Sequence, residues 1–268
     1  MGVEARNNIQ VVGAAGAPVL LLCHGFGCDQ NIWRPIVDRL SSRFQIVLMD
    51  HVGAGASDPA AWDAGKYSQL SGYASDVVEI LRELDLRDVV FVGHSVAAMI
   101  GALAAIVAPE RFDKLIMVTP SPRYVDDGDY RGGFSEADID ELLESLDANY
   151  LGWSHAMAPV IMGNPERPDL HAVLDAAFCR TDPACARVFA RTTFLSDNRS
   201  DLAKVGVATL IIECADDVIA PRTVGAYVHE QIPDSRLVTL DAQGHCPHVS
   251  DPDATATAIA AFAAPARP

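Results

Sequence analysis

Positive charge is scarce in this chain: 20 Lys and Arg stand against 36 Asp and Glu in 268 residues, a formal net charge of −16. Nucleic acids and anionic membrane surfaces are recognised through patches of Lys and Arg, so neither is an expected partner. No run approaches the roughly 20 apolar residues of a membrane span. The opening M-G-V-E-A-R-N-N has no basic head followed by an apolar stretch, which predicts no secretory signal. Arg6 stands where a myristoylation pattern needs Ser or Thr. The cysteines, Cys23, Cys28, Cys179, Cys185, Cys214 and Cys246, are scattered with no C-x-x-C pair. Their spacing offers no metal-ligand set, so no metal or cofactor is expected. It predicts buried, reduced thiols in a cytoplasmic protein.

What is present is apolar residue in quantity, 50% of the chain, enough for one large α/β core carrying an inserted cap. The chain is organised around residues 89–101, V-V-F-V-G-H-S-V-A-A-M-I-G. Val89 to Val92 read as a buried strand and Ala97 to Ala108 as a small-residue helix, with only Gly93, His94, Ser95 and Val96 between them. A strand turning so abruptly into a helix holds Ser95 on a strained bend, and a glycine beside it supplies the backbone freedom the bend needs. The Ser95 hydroxyl then stands clear of the sheet, with the N–H of Val96 beside it. The stretch resembles the G-x-S-x-G elbow of the α/β-hydrolases, with Ala97 in place of the last glycine. Alanine adds one methyl to a helix–strand contact that glycine serves elsewhere.

In chain order, Val19–Cys23 reads as a strand followed by H-G-F-G at 24–27, Ile32 to Leu40 as a helix and Phe44–Met49 as a strand. In an α/β-hydrolase the first of these loops supplies the second oxyanion donor, here the N–H of Phe26. His24 reads as a hydrogen-bonding prop for that loop. Residues 51–58 contain G-x-G without the third glycine of a dinucleotide site, and read as a loop at a strand end. Tyr73, Val77, Ile80, Leu81 and Leu84 share one helix face, and Lys114–Thr119 forms another strand. Strand and helix in alternation specify a parallel sheet covered on both faces.

From Pro122 to Ser196 the alternation stops, and four helical stretches take its place. The first opens with Ser135 and Asp138 in a capping-box arrangement and carries Ile139, Leu142, Leu143 and Leu146. Tyr150, Trp153 and Met157 belong to the second, and residues 170–179, including Phe178, form the third. The fourth has Asp182 as cap, Pro183 at its first position, and Val188, Phe189 and Phe194 beyond. The expected organisation is an α/β-hydrolase core of residues 1–121 and 197–268, with residues 122–196 as a helical lid. Its aromatic side chains are expected to pack the lid and to roof a cavity over Ser95. The sheet resumes at Thr209–Cys214, followed by a helix over 222–231, the strand Arg236–Leu240, and an alanine-rich helix over 253–262. The terminal A-P-A-R-P is expected to fray.

Ser95, an aspartate at 216 or 217, and a histidine at 245 or 248 follow strands in the Ser–Asp–His order of the α/β-hydrolases. A serine hydroxyl needs a histidine to take its proton, and that histidine needs a carboxylate to fix its tautomer. The family pattern has aspartate four residues before a proline, matching Asp217 with Pro221, and Asp216 is the alternative. His245 follows Gly244 in a post-strand loop, the expected place for the base, and His248 is its rival. The catalytic candidates are therefore Ser95, Asp217 and His245, with Phe26 and Val96 as oxyanion donors.

The motifs C-H-G-F-G-C-D-Q-N-I-W (23–33), F-V-G-H-S-V (91–96), T-P-S-P-R-Y (119–124), G-G-F (132–134), C-A-D-D-V-I-A-P (214–221) and G-H-C-P-H (244–248) carry a narrower likeness. They resemble the RsbQ-like stress-response regulators, whose subfamily includes the plant karrikin and strigolactone receptors. That resemblance implies a V-shaped four-helix lid, slow hydrolysis of a small apolar ester or lactone, and a buried pocket. The pocket residues it implies are Tyr124, Phe134, Leu142, Trp153, Met157, Phe178, Phe189, Phe194 and Ile219. It also implies a protein partner, a phosphatase with a ligand-sensing domain. A metabolic esterase or lactonase without a signalling role is the alternative.

Overall fold

The computed structural model describes residues 2–264. The expectation of fraying falls on a tail that lies, after Ala264, outside the described residues. A short helix α1 (Val3–Arg6) precedes the strands β1 (Gln10–Gly13) and β2 (Val19–Cys23). Then come α2 (Arg34–Leu40), β3 (Gln45–Met49), α3 (Leu70–Glu83), β4 (Val89–His94), α4 (Val96–Val107) and β5 (Phe112–Val118). Helices α5 (Glu136–Ala148), α6 (Tyr150–Met162), α7 (Pro168–Arg180) and α8 (Pro183–Phe194) form an insertion, followed by the short α9 (Arg199–Leu202). The core closes with β6 (Ala208–Asp216), α10 (Arg222–Gln231), β7 (Ser235–Gln243), the short α11 (Pro247–Ser250) and α12 (Pro252–Ala263).

The strands form one sheet in the order β1-β3-β2-β4-β5-β6-β7, parallel except for β1, which runs antiparallel to β3. Sequence patterning misses β1 because it is a mostly exposed edge strand with no apolar run to mark it. β4 is buried throughout, β2 from Leu20 and β5 from Leu115 onward, and alternate residues of these strands feed opposite faces. Leu20, Leu22, Val90, Val92, Ile116 and Val118 pack with α2, α12 and the insertion. Leu21, Phe91, Leu115 and Met117 pack with α3 and α4. Each such side chain stabilises the fold by roughly 1.5–3 kcal/mol through removal from water, so both layers are needed. Because β2 lies between β3 and β4, the winding direction reverses there. The crevice beyond the carboxyl ends of β2 and β4 is where such sheets place their sites.

The insertion enters between β5 and β6. Its first helix begins with the expected capping box, Ser135 accepting from the Asp138 N–H while Asp138 accepts from the Ser135 N–H. The thiol expectation holds for Cys23, Cys28, Cys214 and Cys246, which are buried, but Cys179 is exposed and Cys185 half-buried. Both of these lie on the insertion, whose outer helix faces meet solvent. No helix among the described residues is long and apolar enough to cross a membrane.

Candidate active site

Ser95 sits between β4 and α4 with φ 56° and ψ −125°, a conformation that L-residues avoid and that costs on the order of 1–3 kcal/mol. Its N–H donates to the Val118 carbonyl at 2.8 Å, fastening the bend to β5. Ala97 is accommodated because the close approach falls on the other glycine: a Cβ on Gly93 would lie 2.5 Å from the Ala97 carbonyl oxygen. Strand and helix thus touch through Gly93, and the Ala97 methyl is absorbed in a fully buried position.

The Ser95 hydroxyl faces His245 Nε2 at 2.8 Å, and His245 Nδ1 faces Asp217 Oδ2 at 2.8 Å. A carboxylate only accepts, so Nδ1 carries the proton and Nε2 offers its lone pair to Ser95. The second Asp217 oxygen accepts the N–H groups of Ile219 and Ala220 at 2.8 and 3.1 Å, which stops the carboxylate from turning away. Asp216 is exposed and instead accepts from the Gln243 amide at 3.1 Å, so the buried neighbour holds the histidine. His248 lies fully buried between Trp33 and His94, at ring-centre distances of 4.5 and 4.4 Å. Burial holds its pKa down at about 3, and it makes no hydrogen bond to Ser95.

The 24–27 loop passes directly over the serine. A Cβ on Gly25 would come within 2.7 Å of His94 Nδ1 and 3.1 Å of the Ser95 Cβ, so only glycine fits. His24 props this loop: its ring accepts the His51 N–H at 3.0 Å, and the His51 ring reaches the His24 carbonyl at 3.1 Å. Val96 is the first residue of α4, whose opening N–H groups have no partner within the helix. Among the described residues neither the Phe26 nor the Val96 amide donates to a protein acceptor. Two free donors beside a serine, a lone-pair nitrogen and a braced carboxylate constitute the equipment of acyl transfer.

A cavity of about 30 Å³ adjoins Ser95 and His245, room for little more than one or two waters. Of the expected pocket residues, Tyr124, Phe178, Phe194 and Ile219 line it. Trp153 and Phe189 do not; they stand behind Phe26, at ring distances of 6.1 and 5.8 Å, because Phe26 fills the space they would otherwise face. Phe134, Leu142 and Met157 do not line it either and are half-buried against the core. Helical spacing cannot distinguish a residue packed inside the insertion from one facing the cavity. Sequence reasoning passed over Cys28, Ile161, Leu174, Thr193 and Cys246, which line the cavity. Leu174 carried a usable signal, one helical turn before Phe178. The Tyr124 hydroxyl stands 3.4 Å from the Ser95 Oγ. Burial pushes its pKa up to about 12, so it remains a neutral donor.

The metal-capable side chains His155, Asp175 and Cys179 gather on α6 and α7 with ligand atoms within 4.8 Å of one another. Linear spacing hid this group because it draws on two helices. His155 and Cys179 are exposed, and none of the three lines the cavity.

Residues 20–258 match the model of the alpha/beta hydrolase family. The chain is 40% identical over 256 residues to a protein of Oryza sativa subsp. japonica named as a probable esterase, covering 94% of this chain and 93% of the relative. It is 38% identical to karrikin insensitive 2 receptor CA of Petunia hybrida, with the same coverage. A solved hydrolase from Oleispira antarctica superposes with a TM-score of 0.95 at 41% identity, covering 97% of this chain and 96% of that one.

Proposed function

The chain belongs to the α/β-hydrolase family and is a hydrolase of carboxylic-ester type, and on that premise we propose that Ser95, His245 and Asp217 are its catalytic residues. The substrate is a small apolar ester or lactone. The observation that carries this is the unbroken relay of two 2.8 Å contacts from Asp217 through His245 to a strained Ser95. His245 Nε2 takes the Ser95 proton as Oγ attacks the carbonyl carbon. The resulting oxyanion is held by the N–H groups of Phe26 and Val96. Collapse expels the alkoxide, which leaves as alcohol with the proton from His245, and Ser95 keeps the acyl group. Water, deprotonated by the same nitrogen, then releases the acid and restores the serine. The lining of Phe26, Tyr124, Phe178, Phe194 and Ile219 suits compact apolar groups.

The test is Ser95→Ala assayed with p-nitrophenyl acetate. Turnover is expected to fall by several powers of ten, as for comparable triads at roughly 10⁶-fold. A folded variant that keeps more than a few per cent of wild-type turnover refutes the assignment.

The biological reading follows the RsbQ-like resemblance: a cytoplasmic ligand sensor that acts on a partner phosphatase carrying a sensing domain. Similarity along nearly the whole chain to a petunia protein named karrikin insensitive 2 receptor CA supports it. So does the small size of the cavity, since a ligand larger than a few atoms has to displace Phe26 or the helical lid of residues 122–196. A signal requires different affinities for the two states. A serine-directed covalent modifier is therefore expected to change hydrogen exchange mainly within 122–196. Identical exchange with and without modifier leaves a metabolic esterase or lactonase as the better account.

A further inference from the structure

The backbone of His245 is held from both sides. Its carbonyl accepts from His94 Nε2 at 2.9 Å and from Thr119 Oγ1 at 3.0 Å, both at the ends of core strands. Its N–H donates at 2.8 Å to the carbonyl of Ile161, which belongs to α6 of the insertion. The last carbonyls of a helix lack partners within it. At the end of α6 three of the last four are taken: Pro159 by the Gly163 N–H, Ile161 by His245, and Met162 by the side-chain amide of Asn164. The same Asn164 amide donates at 2.9 Å to the carbonyl of Gln243, two residues before the catalytic histidine. The Asn164 N–H meets the Gln243 side-chain oxygen at 3.3 Å.

The chain geometry is built for this contact. Gly163 and Asn164 are both left-handed, with φ of 61° and 53°, and they turn the chain from α6 onto the 243–245 loop. Asparagine is among the few side-chain-bearing residues that tolerate this conformation. A Cβ on Gly244 would lie 1.9 Å from the Met162 carbonyl oxygen, so the two backbones meet where no side chain fits. His171 of α7 also reaches the Gly163 carbonyl at 2.8 Å, bringing a second lid helix to the same junction.

We propose that Asn164 is a positioning residue for the reaction: it clips the end of α6 to the loop bearing His245, so that a closed lid is what holds the base in register with Ser95. Lid opening pulls the Ile161 carbonyl from the His245 N–H, and the triad loosens. Chemistry is thereby confined to the closed state. The inference rests on the serine-hydrolase reading above.

The test uses full-length Asn164→Asp and Asn164→Gly. Aspartate keeps shape and backbone preference but presents an acceptor to two carbonyls. Glycine keeps the left-handed turn and removes the side chain. Hydrolysis of p-nitrophenyl acetate is expected to lose about 10- to 100-fold in kcat, the scale of a small misplacement of a catalytic group, with KM within about twofold. The rate of Ser95 labelling by a fluorophosphonate should fall in parallel, and amide exchange at 243–246 should rise. Should the aspartate variant fail to fold, the glycine variant carries the test alone. A folded variant with kcat and labelling within about twofold of wild type overturns the proposal. Wild-type protein with no Ser95-dependent turnover would instead overturn the hydrolase reading on which it stands.

Discussion

Asp216 and Asp217 are chemically identical neighbours that end in opposite surroundings. Asp217 is buried with its oxygens committed to His245 and two backbone N–H groups, whereas Asp216 faces water. Asp217→Asn is expected to lower kcat by on the order of 10³–10⁴-fold, because an amide can donate to Nδ1 and stabilise the wrong tautomer. Asp216→Asn should leave kcat within a few-fold of wild type, and steady-state assays of the two variants decide the matter. Gly25 is the second residue whose substitution is diagnostic. The methyl of Gly25→Ala would sit 2.7 Å from His94 Nδ1 and 3.1 Å from the Ser95 Cβ, so the loop has to retreat and carry the Phe26 N–H with it. A loss of about 10²–10³ in kcat is expected, the scale of a missing oxyanion donor.

At the scale of elements, the insertion is anchored through aromatic side chains. Phe189 of α8 stacks on Tyr73 of α3 at 4.5 Å, and Thr192 donates to the Tyr67 carbonyl at 2.9 Å. Phe26 is the hub, with Trp153, Phe178, Phe189 and Phe194 all within 6.1 Å of its ring. Its side chain therefore limits the cavity, while its backbone N–H is the proposed oxyanion donor. Phe26→Ala is expected to shift preference among p-nitrophenyl esters from acetate toward butyrate and hexanoate. Competition assays that show an unchanged preference would contradict that division of roles. The α5 cap makes a separate prediction. Ser135→Ala removes the N-cap acceptor, worth about 1 kcal/mol, so exchange should rise within 136–148 and not in the sheet.

Across the whole molecule, buried histidines are expected to erode stability in acid. Burial, together with a neighbouring histidine, drives the pKa of His51 and His94 well below the usual 6.5, and that of His248 to about 3. Below about pH 6.5 the unfolded chain binds protons at these sites and the folded chain does not, so acid favours unfolding. Each histidine contributes up to about 1.4 kcal/mol per pH unit, from about 6.5 down to its folded pKa. Tm is therefore expected to be level above pH 7 and to fall steeply between pH 6.5 and 4.5. His248→Phe should flatten the descent. A Tm independent of pH over that window would contradict the assignment.

The alternating strands and helices were legible in the sequence because burial on both sheet faces imposes continuous apolar runs, as in 19–23, 89–92 and 114–119. The elbow was legible because its chemistry is local: one glycine, one serine and a helix start within a few residues. The insertion was legible as four helices through their caps and spacing. Other features depended on the tertiary structure. β1 is exposed and patternless, and only its pairing with β3 makes it a strand. The choice between Asp216 and Asp217, and between His245 and His248, turns on which side chain the β6 and β7 loops bury toward Ser95. Composition predicted aromatics over a cavity, but only packing shows that Phe26 borders and narrows it and that Phe134, Leu142 and Met157 pack against the core instead. The contact of Asn164 with Gln243 joins residues 79 positions apart. No periodicity records such a pair, because a hydrogen bond between a helix end and a distant loop depends on how both elements dock on the sheet. Local chemistry is written along the chain, whereas the register between distant segments arises only when the sheet brings them together.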